Sequence, residues 1–212
     1  MATPRSNAGT KGVPRQQRRQ QILAAATEEF GTRGYAAASL PAIAERVGVT
    51  KTLLHQYFGT KEDLYLACLV PVGDRLLDTI RTAMGQDGTT AHTPLRVLQS
   101  IFTALEGQRE AWFVLYDTSL PADGAAARRA AEYWSAIDAL AAGGTAELLR
   151  SAGSDDPLDA DALTYVWRDL VATLVRWWVK HPDQSPEAMT RRCARLFAAA
   201  AALTSDPVDP FR

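Results

Sequence analysis

The stretch Ser39–Phe58, SLPAIAERVGVTKTLLHQYF, restricts the fold more than any other part of this chain. Ile43 and Val47 keep a helical spacing that breaks at Gly48 and resumes from Val49 through Leu54 to Tyr57. Such a break describes two short helices meeting at an angle around one small core. Ala44 is small where the second helix must pass close, and Gly48 stands where the turn calls for a positive φ, which glycine adopts at little cost. Ser39 is a cap for the first helix, with Pro41 in its first turn. Thr50 is a good N-cap for the second, because its hydroxyl accepts a bond from a first-turn N–H. An ordinary αα-hairpin satisfies this pattern, and so does a helix-turn-helix, whose second helix lies in the major groove of DNA. The face left over argues for the second. Once Ile43, Val47, Val49 and Leu54 turn inward, Lys51, Thr52, Leu53, His55 and Gln56 point out. An outward leucine beside hydrogen-bonding groups suits a thymine methyl better than water.

These residues and their flanks resemble the N-terminal DNA-binding domain of the TetR family of transcriptional repressors. The resemblance runs from about Arg18 to Leu66, carried by Ile22, Ala26, Phe30, Gly34-Tyr35, Ile43-Ala44, Gly48-Val49, Tyr57-Phe58 and Lys61-Glu62. It implies a DNA contact set in which Lys51, Thr52, Leu53 and Gln56 face base edges. Ser39, Thr50, His55, Tyr57 and the turn at Lys61 complete that set, mainly toward the phosphate backbone. Two positions depart from the family pattern. His55 stands where a phosphate-contacting tyrosine is usual, and Thr52 where glycine or proline is common. Beyond about residue 70 the resemblance carries no residue-level assignment.

Charge is distributed to match. Residues 1–60 hold eight basic and three acidic side chains, a net of +5, whereas residues 61–212 hold fifteen and twenty-one, a net of −6. A cationic head on an anionic body suits a protein that meets nucleic acid at one end. With 47% apolar residues among 212, the chain can bury a sizeable core. The two cysteines, Cys68 and Cys193, sit among apolar neighbours, which favours buried free thiols over a disulfide. No apolar run reaches the length of a membrane span, and the reading is a soluble, cytoplasmic protein with no membrane partner.

Along the chain, residues 1–14 read as a disordered arm, either solvated or reaching phosphates and the minor groove together with Arg15, Arg18 and Arg19. Residues 15–60 form the helix-turn-helix domain, its first helix running from about Gln17 to Thr32 and ending at Gly34. Thr60 caps a connector helix over 61–84, opened by Glu62 and Asp63 and kinked at Pro71. Residues 85–205 form an all-helical body and 206–212 a loose tail. Within the body, Thr93-Pro94 and Pro121-Ala122-Asp123 mark helix starts, Gly143-Gly144 a bend, Asp159 the cap of a helix over 160–180, and Ser185-Pro186-Glu187 the start of the last helix. The fold class is therefore all-α: an N-terminal three-helix DNA-binding domain followed by a helical bundle.

Two features of the body bear on function. In the helix over 160–180, Leu163, Val166, Trp167, Leu170, Val171, Leu174, Val175, Trp177 and Trp178 leave almost no polar face. A helix apolar nearly all round must be covered on both sides. A two-fold mate through the last two helices is the simplest cover, and the family resemblance implies the same homodimer. The aromatic residues Phe102, Trp112, Phe113, Tyr116, Tyr133, Trp134, Trp167 and Trp177 fit plain core packing one by one; together they also fit an apolar cavity with a few polar tips. The resemblance implies a pocket for a small-molecule inducer there. No catalytic, cofactor or metal motif is present, and none of the three histidines has a partner at metal spacing. The expected function is a ligand-responsive, homodimeric repressor of a near-palindromic double-stranded operator, not an enzyme and without a cofactor. The rival readings are a helical interaction protein that has lost DNA binding, and a carrier or enzyme working in the body cavity.

Overall fold

The computed structural model describes residues 13–86 and 90–205, and the side chains of those up to residue 202. The expected arm over 1–12, part of the loop at 87–89 and the tail over 206–212 lie outside the described residues. Among the described residues the regular elements are all helical: α1 (Arg15–Ala37), α2 (Leu40–Val47), α3 (Lys51–Phe58), α4 (Lys61–Met84), α5 (Thr93–Leu105), α6 (Ala111–Leu115), α7 (Ala125–Ser151), α8 (Pro157–Val179) and α9 (Pro186–Ser205). They pack as two units. One comprises the chain up to Asp74 with Glu110–Ser135, and the other Arg75–Arg109 with the chain from Ala136.

In the first unit α1 buries Ile22, Ala26 and Phe30 completely, on the i, i+4, i+8 stripe expected of it. The helix is longer at both ends than the sequence predicts. Its last turn resumes beyond Gly34, whose φ of 72° and ψ of 166° interrupt the helical path. Leu64, Tyr65, Leu69 and Val72 of α4 and Trp112, Val114 and Leu115 of α6 complete this core. Two glycines permit close approach to α1 and α4. A Cβ on Gly31 would lie 2.2 Å from the Glu110 carbonyl oxygen, and one on Gly73 would lie 2.5 Å from the Tyr133 ring. Glycine at these positions lets α1 meet the start of α6 and lets Tyr133 lie flat on α4.

The second unit centres on α5, α8 and α9. Val97, Leu98, Ile101, Phe102 and Leu105 of α5 are buried together with Val171, Leu174, Val175 and Trp178 of α8 and Met189 and Cys193 of α9. Trp178 packs edge-on against Phe102 at 5.2 Å. Arg109 lies over the Trp178 ring at 3.9 Å and donates to the carbonyls of Trp178, His181, Pro182 and Gln184, so one guanidinium ties down the whole α8–α9 turn.

Several helix limits differ from the sequence reading. α8 starts at Pro157 and is capped by Asp156, whose Oδ1 accepts from Leu158 N at 2.8 Å, because proline is preset for the first helical position. Asp159, expected as the cap, lies in the first turn and accepts from Ser154 Oγ instead. α5 begins at Thr93 after a 3-10 turn, Thr90–His92, and the Thr93 hydroxyl accepts from Arg96 rather than capping. α7 begins at Ala125, later than the proline signal at 121, and Glu62 accepts its Ala126 N–H at 3.0 Å. α4 continues past Pro71, as a kink within one helix allows, and α7 continues through Gly143 and Gly144. One side of α8 is buried within the chain, while Tyr165 and Val166 are 61% and 62% exposed on the side for which the sequence reading calls for a mate.

Candidate nucleic-acid interface

Helices α2 and α3 form the bihelical unit that the Gly48 break predicts. Gly48 takes the left-handed conformation, φ 70° and ψ 37°, and the N–H groups of Gly48 and Val49 close on the carbonyls of Glu45 and Ala44. Ser39 Oγ accepts from Ala42 N at 3.3 Å, and Thr50 Oγ1 accepts from Leu53 N at 3.1 Å, so both helices carry the caps read from sequence. Ile43, Ala44, Leu54 and Phe58 are buried between the helices and α1.

That packing orients α3. Lys51, Thr52, His55 and Gln56 are exposed, at i, i+1, i+4 and i+5 on one face. Leu53 and Tyr57 are half-buried, so Leu53 is less exposed than the sequence implies and offers only part of its side chain. His55 Nδ1 lies 2.7 Å from the Gly59 carbonyl, fixing the ring at the C-terminal end of α3. Ser39 and Thr50 accept as caps, which holds the helix starts and leaves each hydroxyl hydrogen to donate.

The arginines of α1 divide. Arg18 is buried and donates to Val47 O and Gln21, tying α1 to the end of α2. Arg15 and Arg19 are exposed and lie over the rings of Tyr57 and Phe58 at 5.7 and 5.3 Å, which brings two cations beside α3. Glu29, 2% exposed, accepts from Ser39 N at 3.1 Å and pairs with Arg33 and Arg46. It anchors the entrance of α2, a role that nothing in its sequence context signalled.

At the start of α4, Thr60 and Asp63 cap reciprocally. Thr60 Oγ1 accepts from Asp63 N, and Asp63 Oδ2 accepts from Thr60 N and Oγ1. These bonds hold the Asp63 carboxyl below its ordinary value. The Lys61 side chain turns inward. Its Nζ donates to Ala38 O at 2.8 Å and Ala36 O at 3.5 Å and lies 4.9 Å from the Tyr35 ring centroid. Burial pushes its ammonium below the usual lysine value, against the opposing pull of Asp117 and Glu29. What this helix end offers an approaching phosphate is its first-turn N–H groups, while the Lys61 side chain positions the segment before α2.

The eight aromatic residues singled out in the body fall in both packing units. In the first, Trp112 stacks on Tyr116 at 4.4 Å, and Tyr116 meets Trp134 edge-on at 4.1 Å. Trp134 Nε1 donates to Leu115 O at 2.8 Å, and Phe113 is half-buried beside this cluster in sequence. Tyr133 is engaged elsewhere: its hydroxyl donates to Asp74 Oδ1 at 2.5 Å and accepts from Arg129, and burial raises its phenol to about 12. In the second unit Phe102 is wholly buried, Trp167 is half-buried, and Trp177 stacks on His181 at 3.6 Å. A cleft of about 360 Å³ in that unit is lined by Ala142, Ala146, Arg150, Asp155, Pro157 and Asp161 among others, and by none of the eight aromatics.

Other chemistry is sparse. Among the described residues no group of three or more His, Cys, Asp or Glu side chains is placed to hold a metal ion. Cys68 and Cys193 are free and buried, and burial pushes their thiols up to about 12 and about 11, away from reactive thiolate. Among the described residues no helix is long and apolar enough to cross a membrane.

Comparison with known proteins bears on the N-terminal domain and on the fold. Residues 22–68 match the family model of bacterial regulatory proteins, tetR family. The chain is 34% identical over 105 residues to the HTH-type transcriptional activator FasR of Mycolicibacterium smegmatis, covering 50% of this chain and 48% of FasR. It thus spans about half the length of the curated relatives it matches. A TetR-like regulator from Rhodococcus sp. RHA1 superposes with a TM-score of 0.63 at 24% identity, covering 90% of this chain and 99% of that one. FadR from Bacillus subtilis, solved in complex with stearoyl-CoA, gives 0.57 at 18% identity, covering 81% and 95%. At these identities the structures establish a shared fold. Residues 22–68 thus form an N-terminal domain of the tetR family of bacterial regulatory proteins, and the chain shares the all-helical fold of regulators of that kind.

Proposed function

We propose that the protein is a homodimeric transcriptional regulator that reads a near-palindromic operator through α3 and is released from it by a small, mostly apolar molecule. The observation that carries this reading is the exposed face of α3. Lys51, Thr52, His55 and Gln56 stand on a helix capped at its start, with Arg15 and Arg19 beside it. Lys51 and Gln56 are side chains of the type that reads guanine and adenine in the major groove, and the arginines suit flanking phosphates.

Dimerisation draws support from the last two helices. The large apolar side chains most exposed among the described residues are Leu158, Tyr165 and Val166 of α8 and Leu196 of α9. They lie on the two helices that the sequence assigns to the mate. The inducer is assigned to the Trp112–Tyr116–Trp134 cluster, in which Trp112 is buried while Tyr116 and Trp134 are half-buried and leave apolar ring surface accessible. The stearoyl-CoA bound to a protein of the same fold makes a long acyl chain the natural first probe.

Hydroxyl-radical footprinting on the DNA flanking its own gene, without and with a long-chain acyl-CoA, tests the whole reading, and the acyl-CoA is expected to weaken the protection. Two protected half-sites related by two-fold symmetry, spaced about one helical turn apart or somewhat more, are expected. A single asymmetric footprint contradicts the dimeric reading, and no footprint at low salt contradicts DNA binding itself.

A further inference from the structure

Gly34 leaves α1 with its following N–H groups pointing away from helical partners, and both are caught by side chains from the segment after α6. Tyr35 N donates to Asp117 Oδ2 at 2.5 Å, across 82 residues of sequence, and Ala36 N donates to Ser119 Oγ at 3.1 Å. Asp117 Oδ1 in turn accepts from Ser119 N at 2.8 Å and Ser119 Oγ at 2.6 Å, so the two acceptors are locked to each other. The fit is close: a Cβ on Gly34 would lie 2.9 Å from Ser119 Oγ and 3.4 Å from Asp117 Oδ1. Glycine is needed there both for its φ and for this approach.

The same segment is gripped from the other side. α6 is five residues long, and its last carbonyls are taken by aromatic donors: Val114 O by the Tyr65 hydroxyl at 2.6 Å and Leu115 O by Trp134 Nε1 at 2.8 Å. Tyr65 also reaches Asp117 Oδ2 at 3.3 Å, and its ring packs edge-on against Tyr35 at 5.3 Å. Only Tyr116, itself part of the stacked cluster, separates Leu115 from Asp117. Downstream of Tyr35, Lys61 holds the Ala36 and Ala38 carbonyls and Glu29 holds Ser39 N. The backbone from Tyr35 to Ser39, which sets where α2 begins, is thus fixed largely by side chains from other elements.

We propose that Asp117 and Ser119 are positioning residues for the DNA-reading helices, and that they carry the state of the Trp112–Tyr116–Trp134 cluster to those helices through the Tyr35–Ala36 turn. A displacement of Tyr116 or loss of the Trp134–Leu115 bond moves the end of α6, and Asp117 follows with the amides it holds. Charge-assisted bonds from backbone N–H to carboxylate are short and directional, which suits them to passing on a displacement. The proposal rests on the reading of α3 as DNA-binding, and its test separates the two.

The experiment is a double-substitution cycle on the full chain, reading affinity for the DNA flanking its own gene by fluorescence anisotropy. Trp134→Phe removes the indole N–H and keeps an aromatic ring; Asp117→Ala removes the acceptor. Trp134→Phe is expected to change DNA affinity by about fivefold or more in the native background and by less than about twofold beside Asp117→Ala. The Tyr35 and Ala36 amides should also exchange faster in Trp134→Phe. Equal effects of Trp134→Phe in both backgrounds, or none in either, overturn the proposal. If Asp117→Ala does not fold, Ser119→Ala takes its place, with the same expected loss of coupling. If the native chain binds no such DNA, amide exchange alone decides. Unchanged protection of Tyr35 and Ala36 in Trp134→Phe then refutes the coupling, and faster exchange upholds it while the DNA reading falls.

Discussion

Helix α3 and the pair α8–α9 both expose residues that a folded chain would ordinarily cover or dilute, but they expose opposite chemistries. α3 presents a lysine, a threonine, a histidine and a glutamine on one face. α8 and α9 present Leu158, Tyr165, Val166 and Leu196, each more than half exposed. Water satisfies the first face without a partner, so its meaning lies in the pattern of donors and acceptors. The second face is costly in water at roughly 25 cal/mol per Å² of apolar surface, so its meaning lies in being covered. On the proposed reading, the contrast sorts the partners: a polar, charged polymer for one surface and a second copy of the chain for the other.

The largest effect should come from spoiling the apolar face. The paired substitution Val166→Glu and Leu196→Glu puts two carboxylates where desolvation is required, and each costs several kcal/mol to bury unpaired. Light scattering should show the dimer reduced to monomer at micromolar concentration, with operator binding lost alongside. A dimer that survives the paired change means that α8 and α9 are covered by something else. The polar face should respond differently. Lys51→Ala should leave the dimer intact and cost about 1–3 kcal/mol in operator affinity, relaxing specificity at one base pair. A loss of equal size on all DNA sequences would assign the lysine to phosphate.

How much of this was legible before the structure depended on distance along the chain. Gly48, Ser39, Thr50 and the Thr60–Asp63 pair act on neighbours within four residues, and each was found doing what its residue type predicts. The cap of α8 was misplaced by three residues because Asp156 and Asp159 both fit the composition, and only Pro157 distinguishes them. Long-range side-chain work was invisible. Periodicity puts Arg18 on the buried stripe of Ile22, Ala26 and Phe30, apart from Arg15 and Arg19, but its partner Val47 lies 29 residues away and no local signal names it. Lys61 likewise folds onto the Ala36 and Ala38 carbonyls, and Asp117 reaches Tyr35 across the fold. The aromatics of the body give no signal of their full grouping, because Tyr116, which stacks on Trp112 four residues before it, meets Trp134 from a different helix.

The smallest predicted effect sharpens the comparison at the edge of the polar face. Asp63 is held below its ordinary value of 3.8, first by its backbone and then by its side-chain bond to Thr60. A carboxyl depressed by folding contributes stability that is fully present above the unfolded value and is lost as pH falls through the lower folded value. Protection of the Thr60 and Asp63 amides should therefore decline only below about pH 4, and Asp63→Asn should remove that dependence. A decline centred near neutral pH would assign the change to another group.

The claim on which the rest depends is that α3 reads DNA. It is tested most directly by anisotropy titrations of the native chain and of the Lys51→Ala, Gln56→Ala double variant, on the DNA flanking its own gene and on a scrambled sequence, across a range of salt. The account predicts that the native chain prefers its own DNA by at least about a thousandfold. It predicts that affinity falls linearly with the logarithm of salt concentration, and that the double variant keeps the salt-dependent part while losing most of the preference. Native binding that is equal on both sequences, or a preference untouched by removing both side chains, would contradict it.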